Sequence, residues 1–412
     1  MSGKAQNQNL GQPQLSLLKK KKKWHEGIPF RIVLLVPFVA LLVFVTGLVG
    51  YISFRNGQRA VNDVACQLNN EIASRIEDHL LVFLNKPHQV NQIIANELHQ
   101  GVLDAHNPDV LERYFWEQIQ VFESLTSIYF GNPEGGLVDA GREGAEGFLY
   151  VIMTDNFVSG PFRKYATDEQ GNRTKLLTTV SDFDARERSW YANAIEAGEA
   201  VWSDPYILFT GQDIAISASL PVYGQQGNLL GVIASDIFLS HLSNFLQDLE
   251  IGHRGQSFIM ENSGLLIASS TGESPFLDAQ DGTQKRIYAS ESDSPTIRFA
   301  VDYLEEKSNG YQNIYTESSH KFEAEGQRYY LQVTPIQDEV GIDWLAVVVI
   351  PASDFMARIN ANNRITRVLI VASSGLILIL GIFFAGRVTE PIVRLTEAAQ
   401  ALATGEWRKT ED

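Results

Sequence analysis

The chain has 412 residues, 44% of them apolar, and a formal charge of −16 at pH 7. An acidic surface of this kind argues against a nucleic-acid reader, which needs basic patches. A single cysteine, Cys66, excludes an internal disulfide framework and a zinc cluster built on thiolates; it reads as a small buried helix residue.

Residues 1–18 are rich in Gln, Asn, Gly and Ser and read as a disordered arm. Lys19 to Lys23 follow, so residues 1–31 hold seven bases against one acid, Glu26. Residues 32–54 then run for 23 positions without an ionisable side chain, between Arg31 and Arg55. At about 1.5 Å rise per residue, a helix of that length crosses a hydrocarbon core of roughly 30 Å. A cleaved signal peptide would carry a shorter apolar region, about 7–15 residues, followed by small residues. The longer apolar run here, continuing into Gly50-Tyr51-Ile52-Ser53-Phe54-Arg55, reads as an uncleaved anchor, and the lysine run holds its first end in the cytoplasm by the positive-inside rule.

Past Arg55, Val61, Val64, Ala65, Leu68, Ile72, Ile76, Leu80 and Phe83 recur at spacings of three and four, which predicts a stalk helix over 55–100. Pro87 is expected to interrupt it, with residues 88–98 continuing it. A second helix is expected between Pro108 and Phe122. Apolar, β-branched runs separated by Gly, Asn and Pro turns follow, at 125–131, 147–153 and 215–220. A hairpin shape at 129–138 recurs at 259–267, and a second at 218–235 recurs at 331–350. Two hairpin-based sheets in tandem, each with helices on a face, predict an α+β class with a junction near 238–250. The expected modules are a distal one over about 100–240 and a proximal one over about 241–352. A return helix, 353–367, capped by Ser353 or Asp354, then feeds a second uncharged segment, 368–386, between Arg367 and Arg387. Subtracting the two ends leaves −21 on residues 55–367, an acidic region expected outside the membrane, with both termini in the cytoplasm.

The stretch Ser181-Asp-Phe-Asp-Ala-Arg-Glu-Arg-Ser-Trp-Tyr191, with Trp202 to Tyr206, Ala218 to Val222 and Gly231 to Asp236, resembles the distal half of a double Cache domain. These are tandem PAS-like modules on a long stalk helix, extracytoplasmic sensors of bacterial receptors, and the likeness covers about 55–360. It implies a small ligand in the distal module and a relaying proximal module. A subset of the family takes free amino acids, and its motif maps onto Arg188, Trp190, Tyr191, Tyr206 and Asp236. Arg188 and the Trp190 indole would hold a carboxylate, and Asp236 an ammonium group. Arg188 and Trp190 share a side only if the chain there is extended. Two positions depart from the motif: Phe183 replaces a tyrosine on the carboxylate side, and Leu208 replaces an acid on the amine side. The bland alternative has Trp190 and Tyr191 seating a helix and Arg188 paired with Asp184 or Glu187.

Beyond the second segment, residues 387–412 resemble the opening helix of a HAMP domain, with Pro391 in the first turn, a seam of Ile392, Leu395, Ala399 and Leu402, and a stop at Gly405. Seven residues follow, too few for the second HAMP helix. The eight histidines lack metal-ligand spacing, and Asp182, Asp184, Asp278 and Asp281 read as turns. No catalytic residue, metal or cofactor is therefore expected, and the chain is read as no enzyme. The expected protein is a two-pass inner-membrane receptor, a homodimer, with a small extracytoplasmic ligand and a cytoplasmic output partner. Two alternatives remain open: the sensor half of a longer histidine kinase, cyclase or chemoreceptor, and an exterior scaffold that binds protein instead of a small ligand.

Overall fold

The computed structural model describes residues 30–144, 147–207, 213–278 and 284–403. Helix α1 (Phe30–Gln100) is followed by α2 (Pro108–Val121), β1 (Ser127–Gly131), β2 (Leu137–Glu143), β3 (Phe148–Thr154), β4 (Phe162–Thr167) and β5 (Arg173–Val180). Next come α3 (Ser189–Ala197), β6 (Val201–Trp202), β7 (Tyr206–Ile207), β8 (Ile214–Tyr223), β9 (Leu229–Phe238) and α4 (Ser240–Asp248). The chain continues through β10 (Gln256–Glu261), β11 (Leu266–Ser269), β12 (Phe276–Asp278), β13 (Gln284–Arg286) and α5 (Pro295–Ser308). It closes with β14 (Ser318–Ala324), β15 (Gln327–Gln337), β16 (Asp343–Pro351) and α6 (Ala352–Ala403).

Two compact units result, Val61–Met356 and a second formed by parts of Met1–Ala60 and Ala357–Asp412. In the larger unit the tandem repeat is written in strand order. One sheet runs β5-β4-β3-β2-β1-β9-β8-β6, with β7 on β8, and the other runs β11-β10-β16-β15-β14. In each, the first hairpin (β1–β2, β10–β11) pairs with the second strand of the last hairpin (β9 of β8–β9, β16 of β15–β16). The pairings are antiparallel, and the class is α+β as the sequence pattern predicts.

The part of α1 in this unit buries Ile72, Ile76, Leu80, Phe83, Val90, Ile94 and Leu98 in the main core, together with Ile128, Phe130 and Ile233 from one face of the larger sheet. Val64, expected on that stripe, is 57% exposed. Pro87 does not interrupt the helix, which is continuous from Phe30 to Gln100. Proline deletes one N–H and crowds the preceding turn. Buried Phe83 and Leu84 before it, and Val90 and Ile94 after it, pin both sides to the sheet, and packing outweighs propensity. The second helix starts where proline suits it, with the Asn107 side chain accepting from Val110 N–H.

One polar residue locks α1 onto the sheet. Asn91 is fully buried, donates to the Ala218 carbonyl at 2.8 Å and accepts from the Ser235 hydroxyl at 2.6 Å. Asn91→Ala should therefore lower unfolding stability by about 1–3 kcal/mol, the usual cost of stranding buried polar partners. An unshifted urea midpoint for the variant would contradict this anchoring role.

In the smaller unit, Leu41, Phe44, Val49 and Ile379 hold large apolar side chains open to the surroundings. Among the described residues one helix, Val39–Gln100, is long and apolar enough to cross a membrane, and Val368–Phe383 is a shorter apolar stretch. Helix α6 runs unbroken through Pro391, so that proline is interior and does not open a new helix as the spacing predicts. Neither expected cap starts α6: it begins at Ala352, and the Asp354 carboxylate accepts from Arg254 N–H at 2.7 Å instead. The lysine run and Gly405 lie outside the described residues.

Candidate ligand site

A strand exposes alternate residues on opposite faces. In β1 this sends Ile128 and Phe130 into the core under α1 and leaves Ser127 and Tyr129 on the other face. Cross-strand registers extend that face sideways. Ser217 sits opposite Asp236, and Asp236 opposite Ser127; one row on, Tyr129 faces Asp139, Asp139 faces Ile152, and Ile152 faces Lys164. Helix α3 and the segment before it cover part of this surface, leaving a cleft of about 340 Å³.

At one end of the cleft Asp236, 4% exposed, accepts from four hydroxyls: Tyr129 at 2.6 Å, Ser217 at 2.6 Å, Tyr206 at 2.8 Å and Ser127 at 3.2 Å. Burial pushes its pKa above the ordinary carboxylate range, against the pull of those donors. Asp139 lies beside it. Burial and the Asp236 charge push Asp139 well above the usual range, with Lys164 opposing. Burial, with the nearby acids, also raises the Tyr129, Tyr150 and Tyr206 phenols well above normal, which keeps them neutral donors. Lys164 is committed elsewhere: it bonds Glu143 and lies 3.8 Å from the Tyr150 ring centroid.

The other end is built by residues 181–190. Phe183 and Gly160 exchange two backbone hydrogen bonds, at 2.8 and 3.1 Å, and Ala185 N–H donates to the Gly135 carbonyl at 3.0 Å. This docks the loop on the β1–β2 turn. Arg188 is extended (φ −84°, ψ 140°) and α3 begins at Ser189, so Trp190 is already helical. An extended chain is therefore not the condition for these two to share a side: both line the cleft with Trp190 in a helix. A helix turn this close to β1 requires glycine beneath it: a Cβ at Gly131 would lie 2.7 Å from the Trp190 ring. Similarly, a Cβ at Gly141 would collide with the Tyr150 hydroxyl, so only glycine lets that phenol fold over the sheet.

Arg188 does not pair with Asp184 or Glu187. Arg186 takes Asp184, at 2.5 Å, and the Arg188 guanidinium and Trp190 indole N–H have no hydrogen-bond partner among the described residues. Four of the five positions picked from sequence, Arg188, Trp190, Tyr206 and Asp236, thus meet at one cleft. Tyr191 does not join them. It shares an apolar cluster with Trp190, Ala185, Ala194 and Val232, but sits about 100° further round α3 and does not line the cleft. Phe183 lines the cleft and stacks edge-on with Phe162, 5.2 Å between centroids; Leu208 lies outside the described residues. Sequence reasoning missed Ser127, Tyr129, Asp139, Tyr150, Lys164 and Ser217. The available signal was a charged residue inside an apolar strand, Leu137-Val138-Asp139-Ala140.

The described residues thus form tandem antiparallel sheets on a long helix, with a cleft on the first sheet. The chain belongs to the Cache-domain family, whose model matches residues 57–359. Methyl-accepting chemotaxis protein McpA of Pseudomonas putida is 28% identical over 162 residues, 38% of this chain and 25% of its own. Methyl-accepting chemotaxis protein PctB of Pseudomonas aeruginosa is 21% identical over 232 residues, 56% and 33%. The chain therefore spans about a quarter to a third of the length of these curated relatives. Among solved structures, the ligand-binding domain of Mlp24 with asparagine covers 74% of this chain and 99% of its own, with a TM-score of 0.46 and 16% identity. The Cache sensor makes this a membrane protein, with one clear candidate span in α1.

Proposed function

We propose that this chain is a transmembrane receptor that binds a small zwitterion, an amino acid or a close relative, in the distal cleft. The observation that carries the reading is that two N–H donors without a hydrogen-bond partner among the described residues, the cationic Arg188 guanidinium and the neutral Trp190 indole, share one cavity with a hydroxyl-ringed carboxylate, Asp236. A carboxylate fits the first group through parallel N–H donors, and an ammonium group fits the acidic end of the cleft around Asp236. Tyr206 belongs to that end, through Asp236. Residues 55–367 lie outside the membrane, with spans at 32–54 and 368–386 and both termini in the cytoplasm. The protein acts as a homodimer, residues 387–412 open a HAMP domain, and bound ligand shifts a helix toward a cytoplasmic output. Such a shift requires different ligand affinity for two states. The names of McpA and PctB favour chemotaxis as that output.

A thermal-shift screen of the full chain in detergent micelles, against amino acids, organic acids and amines, tests the reading. A ligand at about a hundred times its Kd adds roughly 2.7 kcal/mol to the folded state, a clear rise in Tm. No rise with any compound would leave the protein-binding scaffold as the better account.

A further inference from the structure

We infer that the Asp139 carboxylate, more than that of Asp236, is the direct acceptor for a ligand's protonated amino group, and that the cleft therefore selects amino-bearing carboxylates over plain ones. The inference rests on the zwitterion reading above and names the selecting residue. A carboxylate offers about four lone-pair sites. Asp236 already has four hydroxyls within 3.2 Å, two on each oxygen, so its acceptor capacity is filled from within the protein. Asp139 is in the opposite condition. It is only 7% exposed, and it lines the cleft. Its Oδ1 is enclosed without a hydrogen-bond partner, and no described residue donates to its other oxygen.

The nearest cation does not relieve it. Lys164, two strands away in the same row, gives its ammonium to Glu143 and to the Tyr150 ring. A buried acceptor in this position is costly until a donor arrives. An ammonium group supplies three N–H donors and can serve Asp139 while leaving the Asp236 ring of hydroxyls intact. A plain carboxylate brings no donor and leaves Asp139 as it is in the empty cleft. Asp139 would also stand in for the acid that Leu208 replaces.

The test is isothermal titration calorimetry on the full chain in detergent micelles. The probes are the twenty L-amino acids and γ-aminobutyrate, set against acetate, propionate, butyrate and succinate. The expected result is that at least one amino-bearing probe binds, that the plain acids bind at least tenfold more weakly, and that Asp139→Asn weakens the amino-bearing probe at least tenfold. The ligand-free variant should melt at or above the wild-type temperature, since it loses an unpaired buried acid, and this separates lost binding from lost folding. Should Asp139→Asn bind the amino-bearing probe as tightly as wild type, the inference fails while the zwitterion reading survives. Equal binding of alanine and propionate would also overturn it. If no probe binds the wild type, both fall together.

Discussion

Arg188→Ala is expected to weaken amino-acid binding by about 2–5 kcal/mol, roughly thirtyfold to several-thousandfold, while leaving the fold in place. The size follows from truncating one member of a desolvated charge pair: the ligand carboxylate would enter a half-closed cleft with only the Trp190 indole to meet it. The specificity of the effect follows from the surroundings. Arg188 makes no ion pair among the described residues, so its removal breaks no salt bridge there. Its neighbour Arg186 is the natural control, being spent on Asp184 and the Pro133 carbonyl at the outer surface. Arg186→Ala should leave the calorimetric affinity nearly unchanged. Equal affinities for wild type and Arg188→Ala, measured with whichever amino acid gives the largest thermal shift, would rule out the clamp.

The fold was legible because its information is local and periodic. The three-and-four spacing along 61–83 names the face of α1 that meets the sheet, and the paired hairpin signals at 129–138 and 259–267 become the opening strands of two sheets of like order. The errors came where packing overrides a local rule. Pro87 is a helix breaker by propensity, yet it lies in a continuous helix between buried Leu84 and Val90. Asp354 is a good cap by type but is engaged by Arg254 N–H, a partner 100 positions away in sequence.

The candidate site divides the same way. Residues 188–190 announce themselves through a short motif, whereas Asp139 and Lys164 reach the cleft only through the lateral register of β1 to β4. No spacing in one dimension carries that register. Tyr191 shows the converse: adjacency in the motif placed it with Trp190, and one step round a helix keeps it off the cleft wall. The distinction between Asp236 and Asp139 is subtler still. Both are buried acids in strands, and only the count of hydroxyls around each separates a satisfied carboxylate from a waiting one.

His88 should give the ligand-free protein a stability that rises with pH between about 4 and 6.5. The ring is pinned edge-on to Trp202, 4.6 Å between centroids, where α1 meets both sheets; Trp202 in turn donates its indole N–H to Asp338 at 2.9 Å. Neither His88 nitrogen has a hydrogen-bond partner among the described residues. Burial lowers the His88 pKa from 6.5 to about 4, although the Asp338 charge pulls the other way. Between those values the unfolded chain holds a proton that the native chain does not. Stability therefore climbs with pH through that window, is fully present above 6.5, and is lost as pH falls toward 4. The gap corresponds to roughly 3 kcal/mol. His79 and His241 are also lowered, chiefly by burial, and add to the trend. Asp139 and Asp236, raised in the fold, oppose it: the stability they contribute is present at low pH and lost as pH rises through their folded values. Comparing wild type with His88→Leu cancels these shared contributions. The difference between the two unfolding free energies should change by about 3 kcal/mol across the window. Parallel curves from pH 4 to 7 would mean that this ring is either protonated or solvated in the native protein, and that the junction around Trp202 is wetter than its packing implies.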